Sequence, residues 1–210
     1  QMNKSLSVLS FLLSTIIILT ALGCKNNSST CETSCCTIKP IIVSGPMLGH
    51  VSMRSANVWA QVDTKSDLAM KYWQKEVDDT HSKLSGWEVA TAITAFSSQF
   101  EIGGLEPGTD YQAVLIANGN AIGDTLEITT QTLWDYRMDP PAFRAVVGSC
   151  AFINDSIYDR PGKGYGGEYN VFESIVDAKP DMMLWLGDNV YLREVDVQSY
   201  SGYLYRYTHT

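Results

Sequence analysis

The sequence predicts an all-β sandwich followed by the opening of an α/β domain. Three observations carry that prediction. Over residues 41–133, short runs alternate apolar and polar side chains, with turn-rich stretches between them. After Pro140-Pro141 the alternation stops and a strand, helix, strand pattern takes over. Ahead of both lies an apolar stretch that ends at Cys24 and gives way at once to polar residues.

The N-terminal stretch comes first. Asn3 and Lys4 form a short, weakly basic start, and Leu6 to Leu22 is apolar, broken only by Ser and Thr. It closes on Ala21-Leu22-Gly23-Cys24. An apolar core ending in small residues reads as an export signal, not as a fold element. The Gly-Cys ending resembles a bacterial lipoprotein signal, with Ala21 where that pattern usually has Leu. The resemblance implies lipidation of Cys24 and a membrane-anchored, exported lipoprotein, periplasmic or at the cell surface. An ordinary cleaved signal and an uncleaved anchor helix are the other readings. Residues 25–40 then read as a flexible spacer. Cys31, Cys35 and Cys36 crowd this spacer. In an oxidising compartment two of them are expected to pair as a local disulfide, since three cannot all pair internally.

The chain has 210 residues, of which 45% are hydrophobic and 18% charged, so a buried core is within reach. A net charge of -8 argues against a nucleic-acid partner, because phosphate backbones attract basic surfaces. Nothing in the sequence indicates an oligomeric state.

Within the β region the alternating runs are 57–62, 69–73, 87–90, 99–102, 111–116 and 126–130. Gly103-Gly104 and Asn118-Gly119-Asn120 supply turns between them. Period-2 alternation at such spacing argues a sandwich. The stretch Leu105-Glu106-Pro107-Gly108-Thr109-Asp110-Tyr111 resembles the turn into strand F of fibronectin type III domains. That likeness makes Tyr111 a tyrosine corner, its hydroxyl bonded back to nearby backbone. It also places Trp59 in the core. Residues 41–133 contain no Cys, so the antibody-type disulfide is absent and the fibronectin-like variety is favoured over other immunoglobulin-like sandwiches.

Residues 134–142, ending in two prolines, read as a linker. Phe143 to Cys150 is a nearly continuous apolar run, as in a strand buried on both faces. Val171, Phe172, Ile175 and Val176 fall at helical spacing, so a helix is expected from about Tyr169 to Ala178, stopped before Pro180. Asp181 to Gly187 reads as a second buried strand. This is a βαβ unit, whose two strands should be parallel.

Ligands of open α/β sheets bind beyond the carboxyl ends of the strands. Gly148-Ser149-Cys150 ends the first strand, and Gly187-Asp188-Asn189-Val190-Tyr191 ends the second. If the strands are neighbours, Cys150, Asp188 and Tyr191 converge. A carboxylate, a thiolate and a phenolate together suit a highly charged cation. Free thiols and phenols ionise near pH 8.5 and 10, so only a strong Lewis acid holds both deprotonated at neutral pH. Two metals a few Å apart clamp a phosphate and activate a hydroxide. Taken one at a time these residues are weak signals, since a buried Cys is usually an inert small hydrophobe and a Tyr usually packs.

The run Phe143 to Cys150, the Gly187-Asp188-Asn189-Val190-Tyr191 motif and the closing Tyr205-Arg206-Tyr207-Thr208-His209-Thr210 together resemble PhoD-like alkaline phosphatases. So does the order of export signal, fibronectin-like domain, Trp134-Asp135-Tyr136-Arg137 linker and α/β domain. The resemblance implies an α/β/β/α four-layer metallophosphoesterase domain over residues 143–210, incomplete in this chain. It implies a phosphate ester substrate, cleaved as a monoester or diester. It also implies a ferric ion held by Cys150, Asp188 and Tyr191, with Asp188 bridging to a calcium ion. The common phosphoesterase opening of Asp-x-His is replaced here by Ser149-Cys150, which belongs to the PhoD type. The family's later Asn, Asp and His ligands have no counterpart up to Thr210, and His50, His81 and His209 do not match them. The 210-residue chain alone is therefore expected to be inactive. His209 lies in a segment that resembles a family helix and is expected to be structural. Asn189 and Arg193 are as well suited to structural or solvated roles as to substrate contact.

A reading from another class makes the chain a surface lipoprotein whose sandwich binds a partner. A third, an esterase built on Ser149, lacks the glycine pattern of a nucleophile elbow.

Overall fold

The computed structural model describes residues 39–77, 79–159, 161–162 and 168–210. Cys24, Cys31, Cys35, Cys36 and the signal stretch lie outside these residues. Among the described residues no helix is long and apolar enough to cross a membrane.

Eight strands build the sandwich: β1 Ile42–Val51, β2 Ser55–Val62, β3 Ser66–Gln74, β4 Lys83–Leu84, β5 Glu88–Ala90, β6 Ser97–Gly103, β7 Asp110–Ala117 and β8 Asn120–Thr129. One sheet runs β1-β2-β6 and the other β4-β3-β7-β8, with β5 also pairing to β3. All these pairings are antiparallel. This is a fibronectin-like sandwich.

Its core follows from strand parity, because alternate side chains face opposite sides of a sheet. Ala56, Val58, Ala60 and Val62 of β2 and Phe100 and Ile102 of β6 face inward. They meet Leu68 and Met70 of β3, Ala113 and Leu115 of β7, and Ile122 and Ile128 of β8. Each large apolar side chain so removed from water contributes roughly 1.5–3 kcal/mol.

Trp59 is not part of that core. It shares its parity with Asn57 and Gln61 and stands half-buried on the outer face, beside Gln99 of β6 and Met47 of β1. The inward places on β2 are taken by smaller residues, which suit close sheet-to-sheet packing.

Tyr111 does form a corner. It is buried, and its hydroxyl accepts a hydrogen bond from the Glu106 N–H at 2.8 Å. Asn118 and Gly119 join β7 to β8, with φ of 49° and 83°. Positive φ at both central residues is the hallmark of a type I′ turn, whose twist matches a hairpin.

Past the sandwich, Trp134 to Met138 forms a turn, fastened by the Trp134 indole N–H to Gln131 Oε1 at 3.4 Å. Then come β9 Ala145–Gly148, α1 Asn170–Asp177, β10 Met182–Trp185 and α2 Tyr200–His209. β9 and β10 are parallel, in register from Ala145 opposite Met182 to Gly148 opposite Trp185. The result is a small parallel β/α segment. Burial of its strands on both faces is not what the structure shows. Val147, Met182, Leu184 and Trp185 are 56%, 45%, 48% and 38% exposed. α1 buries none of its own residues. An apolar run marks surface that can be covered; two strands and a short helix lack the layers that would cover it.

A candidate metal centre at the ends of two parallel strands

The hydrogen bonding between β9 and β10 carries on past both strand ends. Leu186 N–H donates to Gly148 O at 2.8 Å, Cys150 N–H to Gly187 O at 3.2 Å, and Ala151 N–H to Asp188 O at 3.0 Å. This continuation brings Cys150 alongside Asp188. The Tyr191 hydroxyl donates to Asp188 Oδ2 at 3.0 Å, and Cys150 Sγ lies 4.0 Å from that same oxygen. All three predicted residues thus gather around one carboxylate oxygen. The thiol is free and exposed, as a site open to solvent requires.

The backbone here is unusual. Cys150 has φ of 60° and Asp188 φ of 50°, both in the left-handed region, and Gly187 before Asp188 has φ of 132°. Non-glycine residues adopt such values at a cost of order 1–3 kcal/mol, and they cluster at functional sites. Asp tolerates the conformation better than Cys does.

Electrostatics decide the protonation of the phenol. The Cys150 side chain, then burial, then the Asp188 carboxylate hold the Tyr191 hydroxyl far above the ordinary tyrosine value of 10.0. Without a cation the phenol is therefore neutral and donates its proton to Asp188. A cation held by Cys150, Asp188 and Tyr191 would displace that proton; two of the three donors are oxygens, which suit hard ions, and the third is a sulfur. Among the described residues no group of three or more His, Cys, Asp or Glu side chains converges. His209 stacks on the ring of Tyr205, with centroids 5.3 Å apart and planes at 13°. A shallow cleft of about 290 Å³ lies beside the centre, lined by Ala151, Ile153, Phe172, Trp185, Asn189 and Val190 among others.

Sequence reasoning missed what underlies the centre. Arg193, Arg206, Asp155, Asp159 and Asp196 form one buried network. Arg206 Nε meets Asp196 Oδ2 at 2.7 Å, and its Nη1 meets Asp155 Oδ2 at 3.2 Å. Arg193 Nε meets Asp159 Oδ1 at 2.6 Å. The Arg193 N–H donates to Asp196 Oδ2 at 2.7 Å, and the Asp155 N–H donates to Asp159 Oδ2 at 2.6 Å. Burial works to raise the Asp159 carboxyl, but the Arg193 hydrogen bond, the Asp155 N–H and both arginine charges hold it below the usual range. Asp196 is likewise held low, chiefly by its bond to Arg206 and against burial. Gly202 permits the approach of α2, because a Cβ there would collide with the backbone of Asp196. The members lie up to 51 positions apart and follow no period, so no sequence pattern announces them.

Residues 39–124 match the family model of a domain of unknown function (DUF7800). No curated protein matches the chain by sequence. Among solved structures, the sensor domain of the anti-sigma factor RsgI4 in Pseudobacteroides cellulosolvens is 18% identical with a TM-score of 0.37, covering 45% of this chain and 95% of that one. The structure of PhoD is 18% identical with a TM-score of 0.46, covering 69% of this chain and 27% of that one. The chicken CNTN1 FN1-FN3 domains are 15% identical with a TM-score of 0.34, covering 44% and 30%. These are distant structural similarities.

Proposed function

We propose that this chain carries part of the active site of an exported, metal-dependent phosphoric ester hydrolase. The convergence of Cys150 and Tyr191 on Asp188 Oδ2 is the observation that carries the reading. Cys150, Asp188 and Tyr191 would hold a ferric ion, and Asp188 would also serve a calcium ion. The metals would supply Lewis acidity and an activated hydroxide for attack on phosphorus. The chain's own residues do the rest. To hold a metal, Cys150 and Tyr191 would have to give up their protons, and Asp188 would give up the hydrogen bond it accepts from the phenol. Cys150 and Asp188 stand just past the strand ends, both in the left-handed backbone region. Under this reading residues 143–210 belong to a four-layer metallophosphoesterase fold. Cys24 carries the lipid that tethers the protein to a bacterial membrane.

The test is replacement of Cys150 by Ser, with iron content and hydrolysis of a chromogenic phosphate diester measured together in the complete protein. Both are expected to fall. Normal iron content and normal turnover in Cys150→Ser remove Cys150 from the site.

A second reading, the sandwich as a binding module, is favoured by one observation. An open depression of about 470 Å³ on its outer face is lined by Trp59, Asn57, Gln99, Glu88 and Glu101 among others. Loss of surface binding in Trp59→Ala, with hydrolysis untouched, would favour it.

A further inference from the structure

Arg193 is 7% exposed, and all three of its guanidinium nitrogens are engaged. Nε donates to Asp159 Oδ1 at 2.6 Å, Nη1 to Tyr191 O at 2.5 Å, and Nη2 to Ile153 O at 2.8 Å. These acceptors come from two loops. Ile153 and Asp159 lie on the loop that leaves Cys150, and Tyr191 lies on the loop that leaves Asp188. One side chain therefore locks together the two loops that bear the candidate ligands.

Its face is used as well. The guanidinium carbon sits 4.3 Å from the centroid of the Phe152 ring, and that ring lies 5.3 Å from the ring of Tyr191 at an angle of 56°. Arg193 thus holds the carbonyl of Tyr191 directly and its phenol ring through Phe152. Arg193 is itself held from behind, by Asp159 and by Asp196, which Arg206 of α2 clamps in turn. Loss of a group that orients a ligand in this way typically costs a metal site about 10- to 100-fold in affinity.

We infer that Arg193, acting through Phe152, is a positioning residue that presents the Tyr191 phenol oxygen to Asp188 and Cys150. The inference rests on the reading of those three residues as metal ligands. Lys cannot replace Arg193, because a point charge lacks the planar fork that reaches two loops and the flat face that supports a ring.

The complete chain and its Arg193→Lys and Phe152→Leu variants are titrated with ferric ion supplied as citrate. Bound iron and the visible phenolate-to-iron charge-transfer band are measured. Arg193→Lys is expected to weaken iron binding roughly 10- to 100-fold and to shift or abolish the band per bound iron. Phe152→Leu keeps every hydrogen bond of Arg193 and is expected to shift the band with a smaller loss of affinity. A purely structural role would lower the folded fraction and leave the band per bound iron unchanged. An unchanged band in Phe152→Leu overturns the inference, even if Arg193→Lys fails to fold. A wild-type chain that shows no band, or a band that survives Tyr191→Phe, overturns the metal reading and the inference together.

Discussion

Between residues 42 and 129 the side chains taken out of water are Leu68, Met70, Ile102, Leu105, Leu115 and their neighbours. Between residues 145 and 210 they are Asp155, Arg193, Asp196 and Arg206, while Val147, Leu184 and Leu186 stay in solvent. The two regions are held by different physics. Hydrocarbon packing is non-directional and adds up with area. A buried ion network is directional, and its Coulomb attraction is largely offset by desolvation. Such a network adds little net stability but fixes angles. The sandwich is therefore the stable part, and the segment beyond it is the part built for geometry.

The strongest way to break this contrast is Arg206→Leu. It leaves Asp196 and Asp155 buried without their cation, beside Asn154 Oδ1, which already lacks a hydrogen-bond partner among the described residues. Hydrogen exchange should show loss of protection across α2 and residues 191–196, with the sandwich strands unaltered. Loss in both regions at once would mean a single cooperative unit, and the contrast would fail.

Acid comes next. Asp159 and Asp196 both titrate below the ordinary value of 3.8 in the folded chain. A depressed carboxyl favours the folded state fully above its unfolded value, and that contribution disappears as pH falls through the folded value. Pepsin cleavage should therefore move into residues 150–210 as pH drops below about 4, after normalisation to a denatured substrate. The sandwich should resist cleavage there, since its core contains no carboxylate.

Leu115→Ala probes the other side of the contrast. Leu115 is fully buried, and a cavity at such a site costs about 2–5 kcal/mol. Urea unfolding followed by the sandwich signal should report it, with the exchange of α2 unaffected. Tyr111→Phe is the gentlest probe. It removes the acceptor of the Glu106 N–H and should cost about 1 kcal/mol in the same urea experiment. A cost near zero would reduce the tyrosine corner to plain packing.

The parts of the molecule governed by periodicity were legible in the sequence. Alternation placed β2, β3, β5, β6 and β7 and the second half of β8, and the Pro107-Gly108 turn identified the corner at Tyr111. The helix spacing of Val171, Phe172, Ile175 and Val176 located α1 to within a residue of its ends. The strand-end motifs brought Cys150, Asp188 and Tyr191 to one place because parallel pairing puts equivalent ends together. Trp59 was misplaced although its parity with Asn57 was visible, since the fibronectin likeness suggested core and parity said surface. β1 escaped notice because its pairing with β2 shifts register three times, which breaks the period. The Arg and Asp network was invisible for a deeper reason. Charged residues in loops read as solvated, and their burial depends on contacts distant in the chain.

The left-handed turns at Cys150 and Asp188 bear on how this protein would respond to selection. Glycine adopts those backbone angles freely. A library sorted for thermal tolerance alone should drift to Gly at positions 150 and 188, gaining robustness by erasing the thiol and the carboxylate. A library sorted for iron capture should hold both. The two sorts would pull the same pair of codons in opposite directions.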